Sequence, residues 1–134
     1  MDYPNAFTSE LLTSHQMRGA MEALQAVLRQ LVGDGPLVAR YGWGCELHPD
    51  LRGAPMRVCV GGIDRFIHES LRRQMVVPGE SDVHFDLPDG RLAVVFCHEG
   101  HIHVGGRDQR LAERFVSATP FSQLFPRREY DRVA

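Results

Sequence analysis

Apolar residues recur at steps of three and four from Met17 through Ala20, Met21, Leu24, Val27 and Leu28 to Leu31, which draws one stripe along a helix. Thr13 and Gln16 stand ahead of it at capping-box spacing, and Leu12 and Met17 at the spacing of a hydrophobic staple. Gly33 and then Gly35-Pro36 close it. The spacing predicts a helix over 14–32, with residues 7–12 fitting a frayed turn before it. A second stripe, Ile63, Phe66, Ile67, Leu71 and Met75, predicts a helix over 64–76, stopped by Pro78-Gly79. A third, Leu111, Ala112, Phe115 and Val116, predicts one over 108–118, ending before Pro120.

Between the helices the period shortens. Residues 37–41 and 56–60 read as strands, separated by Gly42-Trp43-Gly44 and a loop over 48–55. Residues 83–87 and 91–98 flank Pro88-Asp89-Gly90, where Asp-Gly is a strong hairpin signal. The strand over 91–98 then meets 101–104 across Glu99-Gly100. It is apolar on both faces, with Leu92, Val94 and Phe96 on one and Ala93, Val95 and Cys97 on the other. That pattern predicts a sheet covered on both sides near its middle. The expected fold is α+β: a mostly antiparallel sheet of four or five strands packed with one long N-terminal helix and two shorter helices. A length of 134 residues fits a single domain, 1–134. Residues 119–134 form a C-terminal segment that either docks on the core or stays exposed.

Two strand-to-helix joints echo each other. Val60-Gly61-Gly62-Ile63-Asp64 and Val104-Gly105-Gly106-Arg107-Asp108 agree in four of five positions. Convergent turn chemistry is the favoured account of this, with a duplicated strand-plus-helix unit as the alternative. Asp64 and Asp108 are each placed to cap a helix, so both helices are expected to start alike. Those carboxylates also sit where a phosphate would, which argues against an anion site at either glycine pair.

Composition removes several chemistries. All fifteen basic residues are Arg, so no Schiff base and no P-loop or kinase lysine exists on this chain. A formal charge of −2 argues against a basic field for nucleic acid or an anionic membrane. Three widely spaced cysteines, Cys45, Cys59 and Cys97, do not suggest a disulfide framework, and the last two read as small core residues. The chain starts without a signal-peptide pattern, and its strongest apolar run, 92–97, is too short for a membrane span. A cytoplasmic location with reduced thiols is expected.

For chemistry, the hairpin over 91–104 is the first place to look. If Glu99-Gly100 is a two-residue turn, His98 pairs with His101, and alternation puts His98, His101 and His103 on one face with Cys97 and Ile102 on the other. Three imidazoles at that spacing are candidate ligands for a divalent metal such as zinc. His84 and Asp86 share a strand face on the Cys97 side and are a conceivable acid/base pair. Ser70, Ser81 and Ser117 fall at helix surfaces or turns, and local spacing assembles no nucleophile with its base. At the end of the chain Phe121, Leu124, Phe125, Arg127 and Arg128 bring aromatic and Arg anchors together, and Trp43 offers another; such residues are enriched at interface hot spots. The expectation is therefore a non-catalytic module without a cofactor. It would bind another protein, such as a toxin or secreted effector, and neutralise or carry it, as immunity proteins and secretion chaperones do. The alternative is a metal-binding enzyme or sensor built on the histidine hairpin.

Overall fold

The capping box is present as spaced. In the computed structural model, which describes residues 7–44 and 49–126, helix α1 runs Ser14–Val32. The Thr13 hydroxyl accepts the Gln16 N–H at 3.1 Å and the Gln16 side chain accepts the Thr13 N–H at 2.9 Å. Around α1 stand strands β1 (Phe7–Thr8), β2 (Pro36–Tyr41), β3 (Met56–Cys59), β4 (Val83–Asp86), β5 (Ala93–Phe96) and β6 (Ile102–Gly105), with helices α2 (Ile63–Arg72) and α3 (Gln109–Ser117). The fold is α+β, and among the described residues the sheet has six strands in the order β1-β6-β5-β4-β2-β3, each neighbouring pair antiparallel.

Six strands correct the expected four or five. The uncounted strand is β1, which pairs Phe7 with Val104 and Thr8 with His103. Two residues are too few to carry an alternating pattern, so a segment that reads as a frayed turn becomes a sheet edge only when β6 lies beside it. Helix α2 also ends earlier than its stripe. Gln74 takes φ 57, and the Met75 N–H reaches back to the Ser70 carbonyl at 2.9 Å, which is the closure of a left-handed helix terminus. Met75 and Val76 remain in the core from outside the helix.

The two glycine joints differ. Asp108 caps α3, its carboxylate accepting the Leu111 N–H at 3.0 Å. At α2 the cap position belongs to Gly62, and Asp64 lies inside the first turn, its N–H bound by Gln25 Oε1 at 2.8 Å. A likeness of four residues in five does not dictate a common start when a neighbouring helix supplies the partner.

The helices also cover the sheet on one side. Leu37, Ala39, Tyr41, Phe85, Val94, Phe96, Ile102 and Val104 form one core with Met17, Met21, Leu24, Ile63, Ile67, Leu111 and Phe115. Ala93 and Val95 are buried as well but point away from that core. Both faces of β5 are thus buried, as its two-sided apolar pattern predicts, while the helices pack on one of them. Among the described residues no helix packs on the opposite face, which is called the open face below.

Candidate functional site

The open face is a lattice of polar side chains around Val95. One row across the strands holds Arg40, His84, Val95, His103 and Thr8. A parallel row holds Val38, Asp86, Ala93 and Gly105. Arg40 joins the two rows through an ion pair with Asp86 at 2.9 Å. His84 and Asp86 thus lie on the Cys97 side as expected, but Arg40 engages Asp86.

Beyond these rows is the hairpin turn, and its register differs from a two-residue turn. The Cys97 N–H donates to the His101 carbonyl at 2.8 Å and the Gly100 N–H to the Cys97 carbonyl at 3.0 Å. Cys97 therefore faces His101, and His98-Glu99-Gly100 form a three-residue loop with Gly100 at φ +89. Two-residue turns of the common type need positive φ at both positions, which a glutamate resists, whereas the three-residue loop needs it only at the glycine. One residue of slip reverses the faces. Cys97 joins His101 and His103 on the open face, Ile102 turns into the core, and His98 sits on the loop.

Each imidazole finds a separate partner. His98 Nδ1 lies 2.7 Å from Asp82 Oδ1, which also accepts the His98 N–H at 2.6 Å. His101 Nδ1 is 3.0 Å from the Ser9 carbonyl oxygen and His103 Nδ1 is 3.2 Å from Thr8 Oγ1. The rings of His101 and His103 are 6.2 Å apart between centroids. The three histidines do not converge on one point. What does come together is Asp82, Cys97 and His98, whose potential ligand atoms all lie within 4.8 Å of one another. Compared with known protein families, with curated proteins and with solved structures, this chain finds no match.

Burial sets the electrostatics of the face. Desolvation pushes the His84 imidazole below its ordinary pKa, against the pull of the Asp82 and Asp86 carboxylates. It does the same to His103, reinforced by neighbouring His101. The Cys97 thiol is pushed up, first by burial and then by the Asp82 and Glu99 carboxylates, while a hydrogen bond from the Glu99 backbone works against the rise. For an imidazole whose folded pKa is depressed, the folded state holds fewer protons than the unfolded one, so stability is lost as pH falls below about 6.5. Urea denaturation should therefore show level stability above neutrality and a decline from pH 6.5 towards 5. His103→Gln should flatten that decline. An unchanged slope in the variant would show that burial of this ring is not what the pH reports.

The remaining expected anchors divide sharply. Trp43 is 59% exposed, its ring 5.5 Å from that of His98, with the Arg52 guanidinium 6.0 Å over it. Leu11, 71% exposed, lies beside Gly100 of the same turn, close enough that a side chain at Gly100 would strike its Cδ1. Phe121 is fully buried with its ring 4.5 Å from Phe115, and Leu124 and Phe125 are half-buried against the core. Arg127, Arg128 and Cys45 lie outside the described residues. Cys59 is exposed at the end of β3, contrary to its reading as a core residue. Open grooves occur elsewhere. One of about 460 Å³ is lined by Gln30, Leu31, Arg114, Ser117, Ala118 and Thr119. A second, of about 300 Å³, lies beside Pro36, Leu87 and Arg91.

Sequence reasoning missed Asp82 and Leu11. Asp82 reaches Cys97 only because Val83 pairs with Phe96, a register that no local spacing reveals. Leu11 precedes the capping box and falls in the segment 7–12 that reads as a frayed turn, and Leu12 beside it is the residue that enters the core.

Proposed function

We propose that this protein is a non-catalytic binding module that grips a partner protein at the hairpin end of its open sheet face. The observation that carries the reading is Trp43, a large aromatic surface left exposed yet held between His98 and Arg52. A ring already restrained by two neighbours loses little conformational freedom on binding, and Trp and Arg together are the side chains most often found at interface hot spots. Leu11, beside Gly100 of the same loop, is a second exposed apolar side chain at this end of the sheet. The partner surface this suits offers an apolar side chain for Trp43 and Leu11 beside a carboxylate for Arg52. Occlusion of a toxin or effector is the mode of action that such an anchor serves, with charge complementarity setting the association rate.

Purification of the tagged protein from its host under native conditions should yield one stoichiometric protein partner. Trp43→Ala should weaken that complex at least about tenfold, as loss of a hot spot does, with no loss of thermal stability. A complex that forms equally well with Trp43→Ala would refute the surface, and the absence of any stoichiometric partner would refute the function.

A further inference from the structure

We propose that Asp82, Cys97 and His98 form a binding site for a single zinc-class divalent cation at the hairpin end of the open face. The three residues come from the chain just before β4, from the end of β5 and from the three-residue loop, so only the folded sheet assembles them. Their ligand atoms lie within 4.8 Å of one another, with His98 Nδ1 2.7 Å from Asp82 Oδ1 and 3.9 Å from Cys97 Sγ. Ligands around a four-coordinate zinc ion stand roughly 3.5 Å apart, so modest side-chain rotations suffice. One sulfur, one nitrogen and one oxygen donor with a position left for water is the set that borderline metals such as Zn²⁺ and Co²⁺ prefer over Ca²⁺ or Mg²⁺.

The outer partners point the same way. Glu99 Oε1 is 3.5 Å from His98 Nε2, and the Glu99 N–H is 3.5 Å from Cys97 Sγ. When the ion takes His98 Nδ1, the single ring proton moves to Nε2, where the Glu99 carboxylate accepts it. The Cys97 thiol gives up its proton to solvent, and the Glu99 N–H remains to support the thiolate. A carboxylate behind a metal-bound imidazole is the usual means of orienting that ligand. The ligand set keeps His98 from the histidines singled out in the sequence and replaces His101 and His103 with Cys97 and Asp82.

The test uses Co²⁺ added anaerobically to Cys45→Ser/Cys59→Ser protein, in which Cys97 is the remaining thiol. Trp43 is the chain's one tryptophan and touches the His98 ring, so it reports the same event. A sulfur-to-cobalt charge-transfer band should rise and Trp43 fluorescence should fall along one isotherm, saturating at one ion per chain and reversed by Zn²⁺. Adding Cys97→Ser should abolish the band. Asp82→Asn and His98→Gln should each weaken binding about tenfold or more, while His101→Gln should leave it unchanged. Where the serine variant folds poorly, protection of Cys97 from alkylation by Zn²⁺ in the parent protein gives the same reading. No saturation below about 1 mM Co²⁺, a band that survives Cys97→Ser, or affinity indifferent to Asp82→Asn would overturn the site.

Discussion

Phe121→Ala should cost about 3–5 kcal/mol of folding stability, the range for deleting a buried phenylalanine. Its side chain is completely enclosed and packs on Phe115 at 4.5 Å between ring centres, the two rings tilted by 35°. Removing the ring leaves a cavity between α3 and the segment that follows it, and that segment has little freedom to collapse inward. Just past Phe121, the Leu124 carbonyl is held by the Glu10 N–H at 2.9 Å, which ties the chain after α3 to the segment before α1. Against a usual total of 5–15 kcal/mol the loss is a large fraction, equivalent to a fall in Tm on the order of 10 °C or more. Urea denaturation measures it directly. A change within about 0.5 kcal/mol would mean that the segment is not docked, since only surface substitutions are that mild. Trp43→Ala should contrast with it in stability, since Phe121 is buried in the core and Trp43 is exposed.

Gly106→Ala should destabilise by about 2–5 kcal/mol, from backbone strain and a steric clash together. Gly106 has φ +135, a region closed to L side chains, and a Cβ built there would lie 2.3 Å from the Arg91 carbonyl oxygen and 2.8 Å from Leu92 Cα. Both obstacles are backbone, so neither can swing aside. The same joint is pinned by the Arg107 N–H to Gly90 at 3.0 Å and the Asp108 N–H to Arg91 at 3.1 Å. Gly62 stands at the equivalent place in the other glycine joint, but at φ −106 and with its nearest obstacle 3.9 Å away at Val58. Gly62→Ala should therefore be close to neutral. Chemical denaturation of the two variants side by side distinguishes them, and equal costs would show that the joints share a conformation after all. Because Gly106 lies at the opposite end of β5–β6 from the Asp82–Cys97–His98 cluster, Gly106→Ala should spare Co²⁺ binding in whatever fraction remains folded.

The helices were legible wherever their limits depend on nearest neighbours. Thr13, Gln16 and Gly33 specify α1 to the residue because a capping box and a terminal glycine act within one turn of chain. Asp108 was legible as a cap for the same reason, whereas the identical residue at Asp64 was not, since Gln25 of α1 takes its N–H. The open face was less readable. Trp43 could be singled out by residue type, but its exposure could not. Phe121 has the same aromatic character and the opposite fate, decided by whether Phe115 lies underneath.

By itself the sequence determined the alternation of helix and strand, the antiparallel hairpins and the absence of lysine chemistry, because these follow from local periodicity, turn residues and composition. Tertiary structure alone decided which face of the sheet stays open, that β1 completes it, and that His98 meets Asp82 rather than His101. Those outcomes hang on strand register, where a slip of one residue exchanges the two faces. The reluctance of Glu99 to adopt positive φ chooses the loop length, and the packing of β4 beside β5 then brings a residue sixteen positions away to His98.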